Sequence, residues 1–322
     1  MSNTFTIASS PHITSRDTTR SIMLDVIIAL LPAFALSVFF FGYRSAVVVA
    51  VCTAACVGFE ALWCLLMKKP QSIGDLSAVV TGMLLAFNLP AGIPLWQAVV
   101  GSLVAIVVVK QLFGGIGCNF VNPALAGRVV MAVSFTSAML SYSYPVSTLT
   151  GALPDVLTGA TPLAALAGES SGSVSALSLF LGEHGGVLGE TSCAALLLGG
   201  IYLCAKKVIK PIIPLAYIGS TFLFSWMFGN EHPLMFILSG GLFLGAIFMA
   251  TDYVTSPYTD KGKWIFGIGC GLLTTVIRMF AGEGNGEGVS FSILLMNLLV
   301  PYINGWCRKK PYGTEAVRDE AR

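Results

Sequence analysis

The stretch Ser45-Ala46-Val47-Val48-Val49-Ala50-Val51-Cys52-Thr53-Ala54-Ala55-Cys56-Val57-Gly58 carries no charge and is bounded by Arg44 and, two residues beyond it, Glu60. Continued to Leu66, it makes an apolar window of about 20 residues, enough for a helix to cross the roughly 30 Å of a bilayer's hydrocarbon. Working outward, comparable windows fall at 22–41, 45–66, 77–92, 93–112, 121–140, 191–205, 208–228, 233–250, 263–280 and 288–306. About ten transmembrane helices are expected. The third and sixth windows are short, and the sixth opens on polar Gly189-Glu190-Thr191-Ser192, so either can be a broken or re-entrant element.

Composition excludes the main rival class. Of 322 residues, 11% are charged and 55% hydrophobic, where soluble domains carry roughly a quarter charged, and the mean hydropathy is +0.81. An all-α polytopic membrane protein is expected, and a soluble enzyme is not. The net charge is +2 and the 18 basic residues lie in small separated groups, which build no surface for nucleic acid. Arg16, Arg20, Lys68, Lys69, Lys110, Lys206, Lys207, Lys210, Lys261, Lys263, Arg308, Lys309, Lys310, Arg318 and Arg322 fall on the side of both termini, and Arg44 on the other. Positive residues stay in the cytoplasm, so the termini are expected there, in the inner membrane of a bacterium. The first window exceeds a signal-peptide core and is expected to remain as an anchor.

This gives a cytoplasmic tail (1–21), a first helical half (22–140), one long external loop (141–190), a second helical half (191–306) and a cytoplasmic tail (307–322). The loop contains Asp155, Glu169, Glu183 and Glu190 but no Lys or Arg. Connections this long are usually functional or disordered. Gly74-Asp75-Leu76-Ser77 and Gly189-Glu190-Thr191-Ser192 enter the expected membrane from opposite sides and hint at an inverted repeat.

Within the loop stands Asp155-Val156-Leu157-Thr158-Gly159-Ala160-Thr161-Pro162-Leu163-Ala164-Ala165-Leu166. Local physics reads it as a turn and a capped helix, with Thr161 at the N-cap and Pro162 at the first helical position. The same geometry serves modification. A hydroxyl beside Gly159 and Ala160 is open to a modifying enzyme, and a phosphate there would meet free N–H groups and the positive end of the helix dipole.

The segment matches Asp-x-x-Ser/Thr-Gly-Ala-Ser/Thr, and in this the chain resembles the family of membrane subunits that includes RnfD and NqrB. The resemblance extends over Ser10-Pro11-His12, Asp75 to Gly82, Asn119-Phe120-Val121-Asn122-Pro123-Ala124, Gly189 to Ser192, Met249-Ala250-Thr251-Asp252 and Glu287 to Asn297. It implies a flavin transferase that attaches FMN to Thr161 through a phosphoester, with Asp155, Thr158, Gly159 and Ala160 forming the attachment motif. It also implies a second, non-covalent flavin such as riboflavin among the helices. The partners implied are the other Rnf subunits, in a complex moving electrons between ferredoxin and NAD⁺ coupled to Na⁺ or H⁺ transport. The first window begins by residue 22, without the longer N-terminal extension of the quinone-linked homologue NqrB, which favours the Rnf branch. The alternatives are that B subunit of a Na⁺-translocating NADH:quinone oxidoreductase, or a secondary transporter or channel with no redox cofactor.

No complete active site is expected on this chain. Arg128 and Arg278 lie inside windows and are costly unless paired or facing a cavity, with Asp25 and Glu60 as candidate partners. Snorkelling to an interface is the plain alternative. Asn122-Pro123 after Gly114-Gly115-Ile116-Gly117 can break a helix and line a flavin or ion pocket, or simply start one. Asp252, Glu283 and Glu287 are candidate ion-path carboxylates. No metal site is expected: His12, His184 and His232 are far apart, the eight cysteines include no Cys-x-x-Cys pair, and Cys118 has no neighbouring cysteine with which to build a cluster.

Overall fold

The computed structural model describes residues 17–142, 145, 176–190, 192–280 and 288–308, and these form helices joined by short connections. Four helices are long and apolar enough to cross a membrane: α1 (Thr19–Phe41), α2 (Tyr43–Leu66), α12 (Asp260–Phe280) and α13 (Gly288–Trp306). Between them lie α3 (Ser77–Phe87), α4 (Leu95–Leu103), α5 (Pro123–Ser134), α6 (Thr136–Met139), α7 (Ala176–Leu181), α8 (Cys193–Ala205), α9 (Ile212–Met227), α10 (Pro233–Leu238) and α11 (Leu242–Leu244). The chain is a polytopic helical membrane protein.

Local chemistry sets the ends. Thr18 and Ser21 cap α1 reciprocally, each side-chain oxygen accepting from the other's backbone N–H at 3.2 and 3.0 Å. Gly42 stands at φ 74 between α1 and α2, a conformation costly for any residue with a Cβ. Asn122 caps α5, its Oδ1 accepting from the N–H groups of Ala124 and Leu125, with Pro123 at the first position. The ordinary proline start is therefore what the sequence builds there.

Two windows contain π-helical stretches. The helix begun by α4 widens into a π-helical stretch over Val104–Gln111, so that Leu112 N–H donates to Val107 O. The expected span 233–250 is broken at Ser239-Gly240-Gly241, with Gly240 at φ 71, and resumes as α11 followed by a π-helical Gly245–Met249. Hydropathy cannot register such a break, because glycines between apolar residues leave the average high.

The two halves repeat one packing order. In the first, α2 packs on α3 and α4, and α4 with its π-helical extension packs on α5; in the second, α9 packs on α10 and α12, and α12 on α13. Across the halves, α1 packs on α8. This is the pattern of an internal repeat, yet the motif pair that hinted at one does not occupy matching places. Gly74 to Ser77 leads into the third helix of its half, whereas Gly189 to Ser192 leads into the first of the other.

Glycines let these helices touch. A methyl group on Gly199 would lie 2.2 Å from the carbonyl oxygen of Ala29, so α8 and α1 meet backbone to backbone, as small residues permit in membranes. On Gly82 it would lie 2.7 Å from Thr53 Cα, between α3 and α2. Gly199→Ala is expected to destabilise the detergent-solubilised chain by about 1–3 kcal/mol through overpacking. Gly219→Ala, where nothing among the described residues lies within 4 Å, is expected to leave thermal unfolding unchanged or slightly raised.

Candidate functional site

The site is organised around α3, a buried half-length helix with a polar cluster at each end. At its start, Leu76 adopts φ 63 and turns the chain so that Asp75 Oδ1 accepts from Ser77 N–H at 2.8 Å and from Ser77 Oγ at 2.5 Å. The Lys110 ammonium, on the π-helical stretch, donates to Ser77 Oγ at 2.6 Å and to Glu60 Oε2 at 2.7 Å. Ser72 Oγ donates to Glu60 Oε1 at 2.5 Å. Lys110 and Glu60 are both fully buried in effect, at 4% and 1% side-chain exposure. Lys110, expected on the side of both termini, is thus drawn inward by a carboxylate from α2.

At the other end, α3 stops at Phe87 inside the bundle, leaving carbonyls without helical partners. The segment preceding α8 folds back to meet them: Gly189 N–H donates to Phe87 O at 2.8 Å and Leu188 N–H to Leu89 O at 3.1 Å. Asn88 Nδ2 donates to Leu84 O at 2.6 Å. Arg128, from α5 and 2% exposed, donates through Nη1 to Asn88 Oδ1 at 2.6 Å and lies 3.3 Å from Glu190 Oε1. The arginine's charge therefore faces the negative end of the α3 dipole and a carboxylate.

Neither arginine takes the partner expected for it. Arg128 is met by Glu190, whereas Glu60 holds Lys110, and Asp25 accepts from Tyr202 Oη at 2.7 Å with Lys206 at 3.8 Å. Arg278, 7% exposed, donates through Nη1 to Phe236 O at 3.0 Å, and its Cζ lies 5.4 Å from the centre of the Phe236 ring. Snorkelling does not describe either arginine. In the segment that folds back, His184 is buried and its imidazole is pushed down to about 4 by desolvation, so it stands neutral at physiological pH.

Beside the Lys110 cluster opens a cavity of about 410 Å³ between the two halves, within the 300–1,000 Å³ typical of small-molecule sites. Val80, Leu84, Ile22 and Phe248 give it apolar walls, and Ser77, Thr81, Lys110, Asn119, Asn122 and Asp252 give it polar edges. Asn122 Nδ2 donates across to Met249 O at 3.1 Å, joining the halves at the cavity's rim. Burial holds the Asp252 carboxyl above the usual range, opposed by hydrogen bonds from Thr255, Asn119 and the backbone.

The attachment motif, Asp155, Thr158, Gly159, Ala160 and Thr161, lies outside the described residues, as do Glu283 and Glu287. Among the described residues no group of three His, Cys, Asp or Glu is placed to hold a metal. The cysteines are free thiols, Cys118 exposed. Sequence reasoning missed the Glu60–Lys110 pair, for which the one signal was a lysine at the close of an apolar run facing a window with a single acidic residue.

Breaking such a buried pair from one side is expected to cost about 3–5 kcal/mol. Glu60→Leu and Lys110→Met should each lower the unfolding midpoint strongly, and the double variant should recover most of the loss. Additive losses in this cycle would show that the two charges are not coupled.

Residues 6–313 match the model of the NQR2, RnfD, RnfE family. The chain is 47% identical over 320 residues to the D subunit of the Na(+)-translocating ferredoxin:NAD(+) oxidoreductase complex of Acetobacterium woodii, covering 98% of each chain. It is 40% identical to the D subunit of the proton-translocating ferredoxin:NAD(+) oxidoreductase complex of Clostridium ljungdahlii, covering 97% of each. To the D subunit of the ion-translocating oxidoreductase complex of Stutzerimonas stutzeri it is 39% identical, covering 94% of each. A match of this extent, from before the first helix to beyond the last, means that the chain belongs to the NQR2, RnfD, RnfE family.

Proposed function

We propose that this chain is the D-type membrane component of a ferredoxin:NAD⁺ oxidoreductase complex that couples electron transfer to Na⁺ or H⁺ translocation, and that it relays electrons through FMN bound covalently to Thr161. The observation that carries the reading is 47% identity across nearly the whole of both chains to a protein of that name. The resemblance at Asp155 to Thr161 supports the flavin, with Asp155, Thr158, Gly159 and Ala160 recognised by a flavin transferase. The lysine and arginine distribution supports cytoplasmic termini and an external 141–190 loop in a bacterial inner membrane. The relatives named for Na⁺ and for protons are both similar over nearly their whole length, so the chain is assigned to ion coupling without choosing the ion.

The cavity beside Lys110 fits the second, non-covalent flavin. Its volume and its apolar walls suit a planar heteroaromatic ring, and Asn119, Asn122, Ser77 and Thr81 offer donors and acceptors at its edges. A flavin supplies one- and two-electron chemistry, while the protein fixes its position and its electrostatic surroundings. Lys110, held between Glu60 and Ser77, places a positive charge at the cavity wall without freedom to swing away. Asp252, kept less acidic than a free carboxyl by burial, stands at the same wall. Ferredoxin and NAD⁺ bind on partner subunits in this account.

Thr161→Ala is expected to leave the chain inserted at the normal level while removing covalent flavin and ferredoxin-dependent NAD⁺ reduction by membranes. Covalent flavin surviving the substitution would move the attachment elsewhere. NAD⁺ reduction surviving deletion of the gene would end the Rnf assignment.

A further inference from the structure

A second pocket, of about 220 Å³, lies between the turn that joins α8 to α9 and the chain leading into α12. It sits at the membrane face where α1 begins, since Lys206 in that turn lies 3.8 Å from Asp25 in the second turn of α1. Lys207, Lys210 and Lys263 line it, together with Ser256 and the apolar Ile213. The backbone fixes the turn. Lys207 stands at φ 61, its N–H donates to Cys204 O at 3.0 Å and Val208 N–H donates to Leu203 O at 2.9 Å, the paired bonds of a Schellman ending. Tyr253 Oη donates to Val208 O and ties the turn to the opposite wall.

The lysines here outnumber the carboxylates that answer them. Lys210 pairs with Asp260 at 2.7 Å, but both side chains are 57% exposed, and such a pair is worth little and yields readily to a stronger anion. Lys207 and Lys263 make no ion pair among the described residues, and Lys263 is repelled by Lys210. Ser256 Oγ has no hydrogen-bond partner among the described residues. The position at the ends of membrane helices indicates what kind of anion fits. Leu215 on α9 and Trp264 and Ile265 on α12, the last two next to Lys263, are exposed large apolar side chains, and an exposed tryptophan beside a lysine marks the headgroup level of a bilayer. An acidic protein segment would satisfy the lysines yet leave this apolar flank without a partner.

We propose that this pocket binds the phosphodiester of an anionic phospholipid, with the acyl chains lying along the exposed apolar flank of α9 and α12. Lys207 and Lys263 supply the charge that selects an anionic head, Ser256 donates a hydrogen bond, and Lys210 turns from Asp260 to join them. Basic pockets between membrane helices commonly hold such headgroups. Val208, Ile209, Thr251 and Tyr253 line both this pocket and the 410 Å³ cavity between the halves, so a bound headgroup braces a wall of that cavity. The inference needs neither of the two flavins.

The test is native mass spectrometry of the full chain purified in detergent, titrated with phosphatidylglycerol or with phosphatidylcholine of the same acyl chains, with the unfolding temperature followed in parallel. The natural chain should bind phosphatidylglycerol at least tenfold more tightly than phosphatidylcholine and be stabilised by it. The double variant Lys207→Gly, Lys263→Gln should lose that tenfold. Glycine accepts the φ of position 207 without strain, so the turn is kept while the charge is removed. Should the pair not fold, each single variant, expected to lose about threefold, gives the reading. Lys68→Gln, Lys69→Gln removes two charges at the end of α2 on the same face and should bind as the natural chain does. Equal binding of the two lipids, an unchanged double variant, or the same loss in the α2 variant overturns the pocket. Full displacement of the lipid by millimolar inorganic phosphate would make the ligand a free phosphate ion and overturn the lipid. So would an assembled complex that retains no phosphatidylglycerol at this chain, since a partner subunit would then cover the lysines.

Discussion

A helix that stops inside a membrane must find partners for its last carbonyls, because lipid offers none. Helix α3 stops at Phe87, and the rest of the arrangement follows from satisfying that end. The segment ahead of α8 returns to donate Leu188 and Gly189 N–H groups to it. That return brings Glu190 to Arg128, and Arg128 to Asn88 at the helix terminus. The second half is thereby tied to the first through backbone and charge together. At the opposite end the same helix is held by Asp75 and by the Lys110–Glu60 pair.

Buried ion pairs add little net stability compared with apolar packing, and losing one partner is expensive. Their presence at both ends of one half-length helix is better understood as a means of fixing geometry around a polar interior. The cavity opens between the halves beside one pair, and the buried Arg278 stands near the other. Such surfaces must be held rigidly, and small residues such as Gly199 and Gly82 let the helices approach closely enough to hold them.

The long helices were legible in the sequence. The windows at 22–41, 45–66, 263–280 and 288–306 lie within α1, α2, α12 and α13 or match them, because a sustained apolar run has one solution in lipid. The short third and sixth windows were legible as weak elements, and they are α3 and α8. The break at Gly240-Gly241 was not, since it turns on backbone conformation rather than on polarity. The pairings were hidden for another reason. Glu60 and Lys110 are 50 positions apart and Arg128 and Glu190 are 62, and only the packing of α2 against α4 and the return of the loop bring them together. The resemblance at Asp155 to Thr161 spoke to function but lies outside the described residues, so its support is the motif and the family to which the chain belongs.

The central claim is that this helical frame presents a loop carrying a redox group. The most direct measurement is mass spectrometry of the peptide spanning Asp155 to Leu166, taken from the natural chain after in-gel flavin fluorescence, in a host shown to contain the flavin transferase. The account predicts an FMN phosphoester on Thr161. An unmodified peptide from that host would contradict it and leave the frame as that of a channel or transporter.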